Sequence, residues 1–279
     1  MVYSLLILTS SIFTAIGSYL DKYLVNLGIS RDDYFYYMSF SLVPFALIMM
    51  GIEYFSHALK FSLNIIPIVL LVVAMILRYY KQHTIVGYLK YLTPYEASAY
   101  LTLGLVLAFF IDVVIETEEF TVFSVISVFI TVFGVFLLAD TKLKLKDLRK
   151  DLLLRILTSL LLGYVTYFIL QYWSNAFFMF IMNLLLTILF SKGYNISYHK
   201  RHKKIIFWVF IQQFFGFLAL YFSNFLAATS VTLSSYVKPV SIVLVLLLAF
   251  FMKRGEIKPS LKQVLAIVMI AGGVFLINC

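Results

Sequence analysis

Ten predominantly apolar stretches follow one another along the chain and limit the fold more than any other feature of the sequence. A helix needs about 20 apolar residues to cross the hydrocarbon core of a bilayer. In lipid, a chain satisfies its backbone polar groups only as helices or as a closed barrel. The sequence therefore predicts an all-α membrane protein with ten transmembrane helices. The predicted spans cover residues 2–20, 34–54, 62–80, 94–115, 120–139, 152–171, 175–190, 205–226, 231–252 and 261–277.

The composition agrees with a membrane protein rather than a soluble domain. Of the 279 residues, 63% are hydrophobic and 13% are charged, whereas globular chains contain about 25% charged residues. The formal net charge of +9 does not indicate a nucleic-acid partner, because the basic residues lie in short links between apolar runs. In that position they determine orientation in the membrane. A lipid bilayer is the expected partner, and nucleic acid is not.

Basic residues collect in alternate links, which predicts how the chain is oriented. The opposite links contain Lys60 and an acidic run with Glu116, Glu118 and Glu119. The positive-inside rule places the basic links in the cytoplasm, so a ten-span chain in the cell membrane has both termini outside. The basic links lie around Lys22 and Lys90 and within 141–151, 192–204 and 253–262.

Short sequences recur in the two halves of the chain. LAFF occurs at 107–110 and again at 248–251, each followed by a glutamate, Glu116 or Glu256. FGVFLL at 133–138 is matched by GGVFLI at 272–277. Such self-similarity indicates a duplicated unit, and two units of five spans must have opposite orientations. The predicted architecture is two inverted five-helix repeats, 1–140 and 152–279, joined by a basic cytoplasmic link at 141–151.

The ninth span contains a lysine. Lys238 precedes Pro239 within the apolar stretch 227–251, AATSVTLSSYVKPVSIVLVLLLAFF. A charge at the centre of a membrane helix costs roughly 2.5–3.5 kcal/mol and usually faces a cavity or a partner. Ser234, Lys238 and Ser241 share one helical face, and Pro239 weakens the helix there. This pattern predicts a substrate path, although a lysine near a helix end can also extend to the interface.

Polar residues of three other spans are further candidates for this path. Ser18 and Lys22 lie on one stripe of the first span, where close helix packing or interfacial anchoring is the alternative. Arg78 of the third span equally marks a cytoplasmic helix end. Gln212 belongs to a mixed small and polar stripe of the eighth span, and such stripes also serve packing.

The repeat adds candidates at the start of the fourth span. It places Tyr95 opposite Tyr236, with Glu96 beside it. Glu96 is a candidate proton site or a counter-ion for Lys238. Its carboxylate would also be stabilised by the helix dipole without any cavity.

These segments resemble the drug/metabolite transporter superfamily, in particular its ten-helix EamA-type permeases. The resemblance lies in YLKYLTPYEASAYLTLGLVLAFF at 88–110, in 227–251 with Glu256, and in the two glycine-containing closing spans. It implies a five-plus-five bundle that works by alternating access, with a cavity lined by spans one, three, four, six, eight and nine. It also implies cytoplasmic termini, opposite to the charge pattern. The lysine before proline resembles the lysine that nucleotide-sugar and phosphate-ester branches use against an anion.

The residues indicate transport rather than catalysis. The only cysteine is Cys279, His199 and His202 lie among basic residues, and no Walker motif is present. We therefore expect no enzyme activity and no cofactor. We expect a secondary transporter of a small polar or anionic metabolite, working as a monomer or a homodimer. The alternatives are an exporter of cationic or aromatic compounds, with Glu96 and tyrosines binding the substrate, and a lipid-handling, flippase-like protein.

Overall fold

The computed structural model describes residues 2–26, 31–88, 99–139, 150–191, 203–252 and 260–277, and within these ranges it contains α-helices and no β-strand. The prediction of an all-α protein is therefore confirmed for this part of the chain. The helices are α1 (Val2–Asn26), α2 (Arg31–Phe55), α3 (Ile65–Tyr88), α4 (Leu103–Val114), α5 (Val122–Leu138), α6 (Lys150–Leu170), α7 (Asn175–Phe190), α8 (Lys203–Ala227), α9 (Val231–Ser235), α10 (Val237–Met252) and α11 (Leu261–Leu276).

Several of these helices have the length and composition of membrane spans. Five segments in the described ranges are long and apolar enough to cross a bilayer, namely Val2–Leu20, Phe35–Phe55, Lys150–Leu170, Lys203–Ala227 and Val231–Leu248. Shorter apolar helices are Ala99–Val114, Val122–Leu138, Asn175–Phe190 and Leu261–Leu276. The chain thus has the character of a membrane protein.

The distribution of polar and apolar side chains also suits a lipid environment. Large apolar side chains cover the outside of the bundle; Phe133 and Val268, for example, are 62% and 60% exposed. Small polar side chains lie inside and bond to carbonyl groups. Ser10 Oγ donates to the carbonyl oxygen of Ala219 (2.7 Å), and Ser127 Oγ donates to that of Gly273 (2.6 Å). Interhelical hydrogen bonds of this kind hold transmembrane helices together.

The third predicted span is longer than the sequence suggested. Its apolar run ends before Arg78, which predicted a span of 62–80, while the weaker apolar segment 84–92 that follows left open one long, kinked helix. In the structure α3 continues as one helix from Ile65 to Tyr88. Arg78 and Lys81 therefore lie within α3 rather than at its end.

The ninth predicted span is interrupted, as its proline suggested. The break lies at Tyr236, between α9 and α10. Pro239 has no N–H to donate to the carbonyl of Ser235, four residues earlier, and its ring clashes with that turn.

Helices of the first half pack mainly against helices of the second half. The most extensive contacts are α5 with α11, α1 with α8, α3 with α6, α2 with α7, α1 with α10, α2 with α8, and α4 with α9. In terms of predicted spans, these are five with ten, one with eight, three with six, two with seven, one with nine, two with eight, and four with nine. The core is therefore an interface between the two halves.

Candidate functional site

A cavity of about 440 Å³ lies between the two halves of the bundle. Its walls come from α1, α3, the start of α4 and the turn before it, α6, α7, α8 and the interrupted span formed by α9 and α10. A volume of this size lies within the range of small-molecule binding sites. It lies where the halves meet, and most of its lining belongs to the helix pairs that join them.

Four cationic side chains line this cavity: Arg78 and Lys81 from α3, Arg155 from α6 and Lys238 from α10. They are close enough for Lys81 to interact electrostatically with Arg78, Arg155 and Lys238. Among the described residues, the lining contains no aspartate and no glutamate. A cavity with one sign of charge between low-dielectric walls concentrates ions of the opposite sign. The site is therefore suited to an anion.

The uninterrupted course of α3 places two of these cations. Arg78 and Lys81 are three residues apart and so share one helical face. Arg155 of the adjacent α6 donates through Nη1 to the carbonyl oxygen of Lys81, which joins the two helices at the cavity wall. Within the described ranges, Arg78 has neither a carboxylate partner nor a hydrogen-bond acceptor, and its electrostatic neighbours are Arg155 and Lys81. Such a guanidinium is costly in a membrane unless water or an anion solvates it.

Neutral polar groups occupy the rest of the wall. Ser18, Gln212 and Ser234 line the cavity. The hydroxyl of Ser234 donates to the carbonyl oxygen of Val231 (2.9 Å), and the Gln212 carbonyl oxygen accepts from the side chain of Gln213. These groups can provide hydrogen bonds that orient a bound molecule, whereas the charge comes from the lysines and arginines.

The cavity is open at one end and closed at the other. Lys238 and Ser18 are exposed, and Arg155, near the start of α6, is partly exposed. Phe178, Ala227 and Val231 line the opposite end and are buried, at 1%, 4% and 3% exposure. The open end, here called the mouth, therefore faces the side of the bundle where α6 begins, which is the side of the basic link 141–151.

The closed end is a direct contact between α6 and α9. A Cβ added to Gly163 would lie 2.8 Å from Cγ1 of Val231, closer than real Cβ contacts. We call this contact between Gly163 and Val231 the floor of the cavity. Only glycine at position 163 allows α6 to approach α9 so closely.

A buried carboxylate lies directly behind the floor. Asp112 of α4 is fully buried. Its Oδ1 accepts from the hydroxyl of Tyr164 (2.8 Å), and its Oδ2 accepts from Ser230 Oγ (2.9 Å) and from the backbone N–H of Thr232 (2.6 Å). Tyr164 follows Gly163, and Ser230 precedes Val231, so both lie next to the floor. We call Asp112, Tyr164, Ser230 and Thr232 the Asp112 latch, because their hydrogen bonds connect α4, α6 and α9 at the floor.

The structure brings five of the sequence candidates together. Lys238, Ser234, Ser18, Arg78 and Gln212 all line the cavity. They come from four different spans, so the folded chain collects them across long sequence separations.

Two other candidates lie away from the cavity lining. The hydroxyl of Tyr236 is buried 2.5 Å from Ser127 Oγ, in the packing between the interrupted span and α5. Ser241 donates to the carbonyl oxygen of Lys238 (2.8 Å) within α10. Tyr95, Glu96 and the side chain of Lys22 lie outside the described residues.

Sequence reasoning missed two important residues. Arg155 lies in the sixth predicted span, five residues after Lys150 of the basic link. It belongs neither to the predicted link nor to the candidate site residues. Asp112 is a lone acid near the end of an apolar span, a position where an interfacial role is the usual explanation. The rule that singled out Lys238, an ionisable residue inside a span, would have found both.

Comparison of the chain with known proteins identifies a shared fold but indicates no activity. No family model and no curated protein matches the chain. One solved crystal structure, described only as that of a protein, matches with a TM-score of 0.67 over 98% of this chain and 95% of that chain, at 13% sequence identity. At this level of identity the likeness shows a common fold along almost the whole chain.

Proposed function

We propose that the protein is a secondary transporter that moves a small anionic metabolite across the cell membrane by alternating access. The observation that carries this proposal is the cavity between the two halves, whose charged lining consists of Arg78, Lys81, Arg155 and Lys238 in the described part of the chain. A bundle with an apolar outside has little reason to gather four cations inside unless something negatively charged enters.

The charges are strong enough to explain binding. Two unit charges 4 Å apart interact with about 4 kcal/mol at the effective dielectric constant of a partly hydrated protein site. Two such contacts would offset the several kcal/mol that desolvation of an anion costs. Arg78 adds geometric selectivity, because a guanidinium binds carboxylate or phosphate groups with two parallel hydrogen bonds.

The helix pairing supports movement of one half against the other. Exchange of each span with its counterpart five spans later keeps five of the seven most extensive pairs within that set: one with eight becomes six with three, and two with seven, four with nine and five with ten exchange within themselves. The other two pairs, one with nine and two with eight, become six with four and seven with three, which are also in contact. This is the pattern expected for two related repeats around a common axis. Inverted repeats with a site between them work by rocking around that site. The resemblance to EamA-type permeases points the same way.

The mouth, in this proposal, faces the cytoplasm, because it lies on the side of the basic link 141–151 and basic links are cytoplasmic. The closed floor then faces outside, together with both termini. Cys279 is the only cysteine of the chain and reports on this orientation directly. A membrane-impermeant maleimide should label Cys279 in intact cells without permeabilisation. Labelling that requires permeabilisation would reverse the orientation and leave the cavity argument intact.

The decisive experiment is transport by the purified protein in liposomes. A panel of radiolabelled carboxylates and phosphate esters, with cationic aromatic compounds as the alternative, is tested for counterflow. Arg78→Gln and Lys238→Gln should each reduce anion transport at least tenfold, because each removes a charge from the cavity. Lys203→Gln is the matched control, since Lys203 is exposed at the start of α8 and does not line the cavity.

The alternatives predict different results in the same assay. An exporter of cationic compounds would move the cationic members of the panel and would be unaffected or improved by removal of cavity charges. A lipid-handling protein would scramble labelled lipid and move none of the soluble compounds. Anion transport that survives both Arg78→Gln and Lys238→Gln would refute the proposed site.

A further inference from the structure

We propose that the cavity binds an amphiphilic anion, that is, a carboxylate or phosphate headgroup attached to an apolar body such as a short alkyl chain or an aromatic ring. The negative charge of this ligand rests on the proposed function. The apolar body goes beyond it, and follows from where the charged and uncharged residues lie along the depth of the cavity.

The cations of the cavity lie well above its floor. Arg155 lies eight residues before Gly163 along α6, and Lys238 lies seven residues after Val231 along α9 and α10. Because a helix rises about 1.5 Å per residue, both cations are about 10–12 Å from the contact between Gly163 and Val231. Two separate helices therefore give the same depth.

Arg78 is the cation nearest to the closed end. It lies one turn of α3 before Lys81, whose carbonyl oxygen accepts from Arg155. The start of α3 is on the closed side, since the indole N–H of Trp173, just after α6 ends, donates to the carbonyl oxygen of Ser62 (2.8 Å). One helical turn is about 5 Å, which places Arg78 about 7 Å above the floor.

Apolar side chains from four helices surround the space between the cations and the floor, here called the inner compartment. They are Leu160 of α6, Phe178 of α7, Ala227 of α8 and Val231 of α9. In the described part of the lining, the charged residues are the four cations above them. An anionic headgroup held by these cations therefore leaves the rest of the molecule next to an apolar wall.

Several polar side chains of the inner compartment already have hydrogen-bond partners. Ser234 and Ser235 both donate to the carbonyl oxygen of Val231, at 2.9 and 2.8 Å. The amide nitrogen of Asn224 donates to Oδ1 of Asn175 (2.8 Å). These donor protons are used within the protein, so they are not offered to a ligand.

The further polar lining at this depth consists of the hydroxyl groups of Ser159, Thr166 and Ser223. A sugar or another hydroxyl-rich body would need many more partners to replace the water that it loses. Polar groups left without a partner lower affinity strongly. An apolar body needs no such partners, and its removal from water is favourable in itself.

The depth of the inner compartment limits the length of the body. An extended carbon chain advances about 1.2 Å per bond, one third of the length of an extended residue. The 7–12 Å between the cations and the floor thus accommodate roughly six to ten carbons. Each methylene that becomes buried should raise affinity about fourfold, until the chain reaches the floor.

The test is the binding of two homologous series to the purified protein in lipid nanodiscs, with binding to empty nanodiscs subtracted. Straight-chain carboxylates and alkyl phosphates with two to twelve carbons compete with radiolabelled hexanoate or hexyl phosphate. In at least one series, affinity should rise about fourfold per methylene and stop rising between roughly six and ten carbons. Hexylammonium, which has the same body and the opposite charge, should not compete. Glucose 6-phosphate should compete at least about tenfold more weakly than hexyl phosphate, because its body buries no methylene chain.

Variants of the lining relate the chain-length limit to the inner compartment. Ser223 lies four residues before Ala227 on α8, about 6 Å above it, so Ser223→Leu should fill part of the compartment. The limit should fall by several carbons, while the affinity for acetate stays unchanged. Thr229→Leu is the matched control, because Thr229 is exposed just before α9 and does not line the cavity. Phe178→Leu covers the case in which Ser223→Leu fails to fold; it enlarges the closed end and should move the limit to longer chains.

The apolar body and the proposed transport function can fail separately. The inference is overturned by the absence of saturable binding in both series, by affinities that do not depend on chain length, or by stronger competition from glucose 6-phosphate than from hexyl phosphate. An unchanged limit in both Ser223→Leu and Phe178→Leu would also overturn it. Anion transport in liposomes without a chain-length dependence would leave the proposed function standing. Binding that depends on chain length, without transport, would refute the proposed function and leave the ligand class of the cavity standing.

Discussion

Gly163→Ala should shift the protein toward a state with an open floor. The added Cβ would lie 2.8 Å from Val231 Cγ1 and 3.6 Å from Cγ2, and a β-branched side chain in a helix rarely leaves its preferred χ1 rotamer to make room. Overpacking of this kind typically costs 1–3 kcal/mol. The cost applies only while α6 and α9 touch. An energy difference of 1–3 kcal/mol corresponds to a shift of roughly 5- to 150-fold in a two-state equilibrium.

In a Cys279→Ser background, spin labels on single cysteines at Gln171 and Thr229 measure this shift, because both positions are exposed, one at the end of α6 and the other just before α9. Gly163→Ala should increase the population with a longer distance between the two labels. Val231→Ala removes both Cγ atoms, so the double variant should return to the wild-type distribution. Gly51→Ala is the matched control, because a Cβ at Gly51 has no atom within 4 Å. An unchanged distribution in Gly163→Ala, or no rescue by Val231→Ala, would show that this contact does not close the cavity.

Three further predictions concern stability. Gly273→Ala should lower the thermal unfolding midpoint, because its Cβ would overlap Thr131 Oγ1, whereas a Cβ at Gly272 meets no atom within 4 Å and Gly272→Ala should have little effect. Glu118→Gln should stabilise the protein at pH values above the raised pKa of Glu118 and have no effect well below the pKa of a glutamate in the unfolded chain. The reason is that the folded state binds the proton of Glu118 more tightly than the unfolded state, so the stability of the wild-type protein falls as the pH rises from the unfolded-state pKa through the folded-state pKa. A pH-independent difference would contradict this reasoning. Glu53→Gln should lower the free energy of unfolding by about 1.5–3 kcal/mol, the usual contribution of hydrogen bonds to a charged group. It should not change the distances between spin labels at Gln171 and Thr229. An open floor in this variant would show that any buried carboxylate on this side of the bundle controls the floor.

The membrane-spanning helices could largely be predicted from the sequence because lipid imposes a simple requirement on them. The seventh span was predicted at 175–190, and α7 occupies Asn175–Phe190, because the apolar run and the helix end at the same residues. The third span differed because hydropathy falls at Arg78 while the helix continues to Tyr88. A hydropathy rule treats the arginine as a boundary, because it does not register the cavity that the Arg78 side chain lines.

The cavity was only partly predictable, because its members are joined by tertiary contacts that leave no local pattern. Lys238 stood out since a lysine inside an apolar run is rare. Arg155 did not, because basic residues precede it closely in sequence. In the Asp112 latch, Asp112 is hydrogen-bonded to Tyr164, which lies 52 positions later in the sequence, and to Ser230, which lies 118 positions later. No periodicity within one span indicates that these side chains meet.

Two buried carboxylates on the closed side of the bundle share the same chemistry, and their positions distinguish their roles. Glu53 of α2 accepts from the N–H of Ala176 at the start of α7 (3.1 Å) and from the hydroxyl of Tyr221 on α8 (3.0 Å). Asp112 likewise accepts from the first turn of α9 and from a tyrosine. Both carboxylates therefore stabilise a helix N-terminus, where negative charge is favoured. Only the partners of Asp112 are adjacent in sequence to the floor contact, so removal of the Asp112 side chain should weaken the closed end of the cavity, whereas removal of the Glu53 side chain should weaken the packing of α2, α7 and α8.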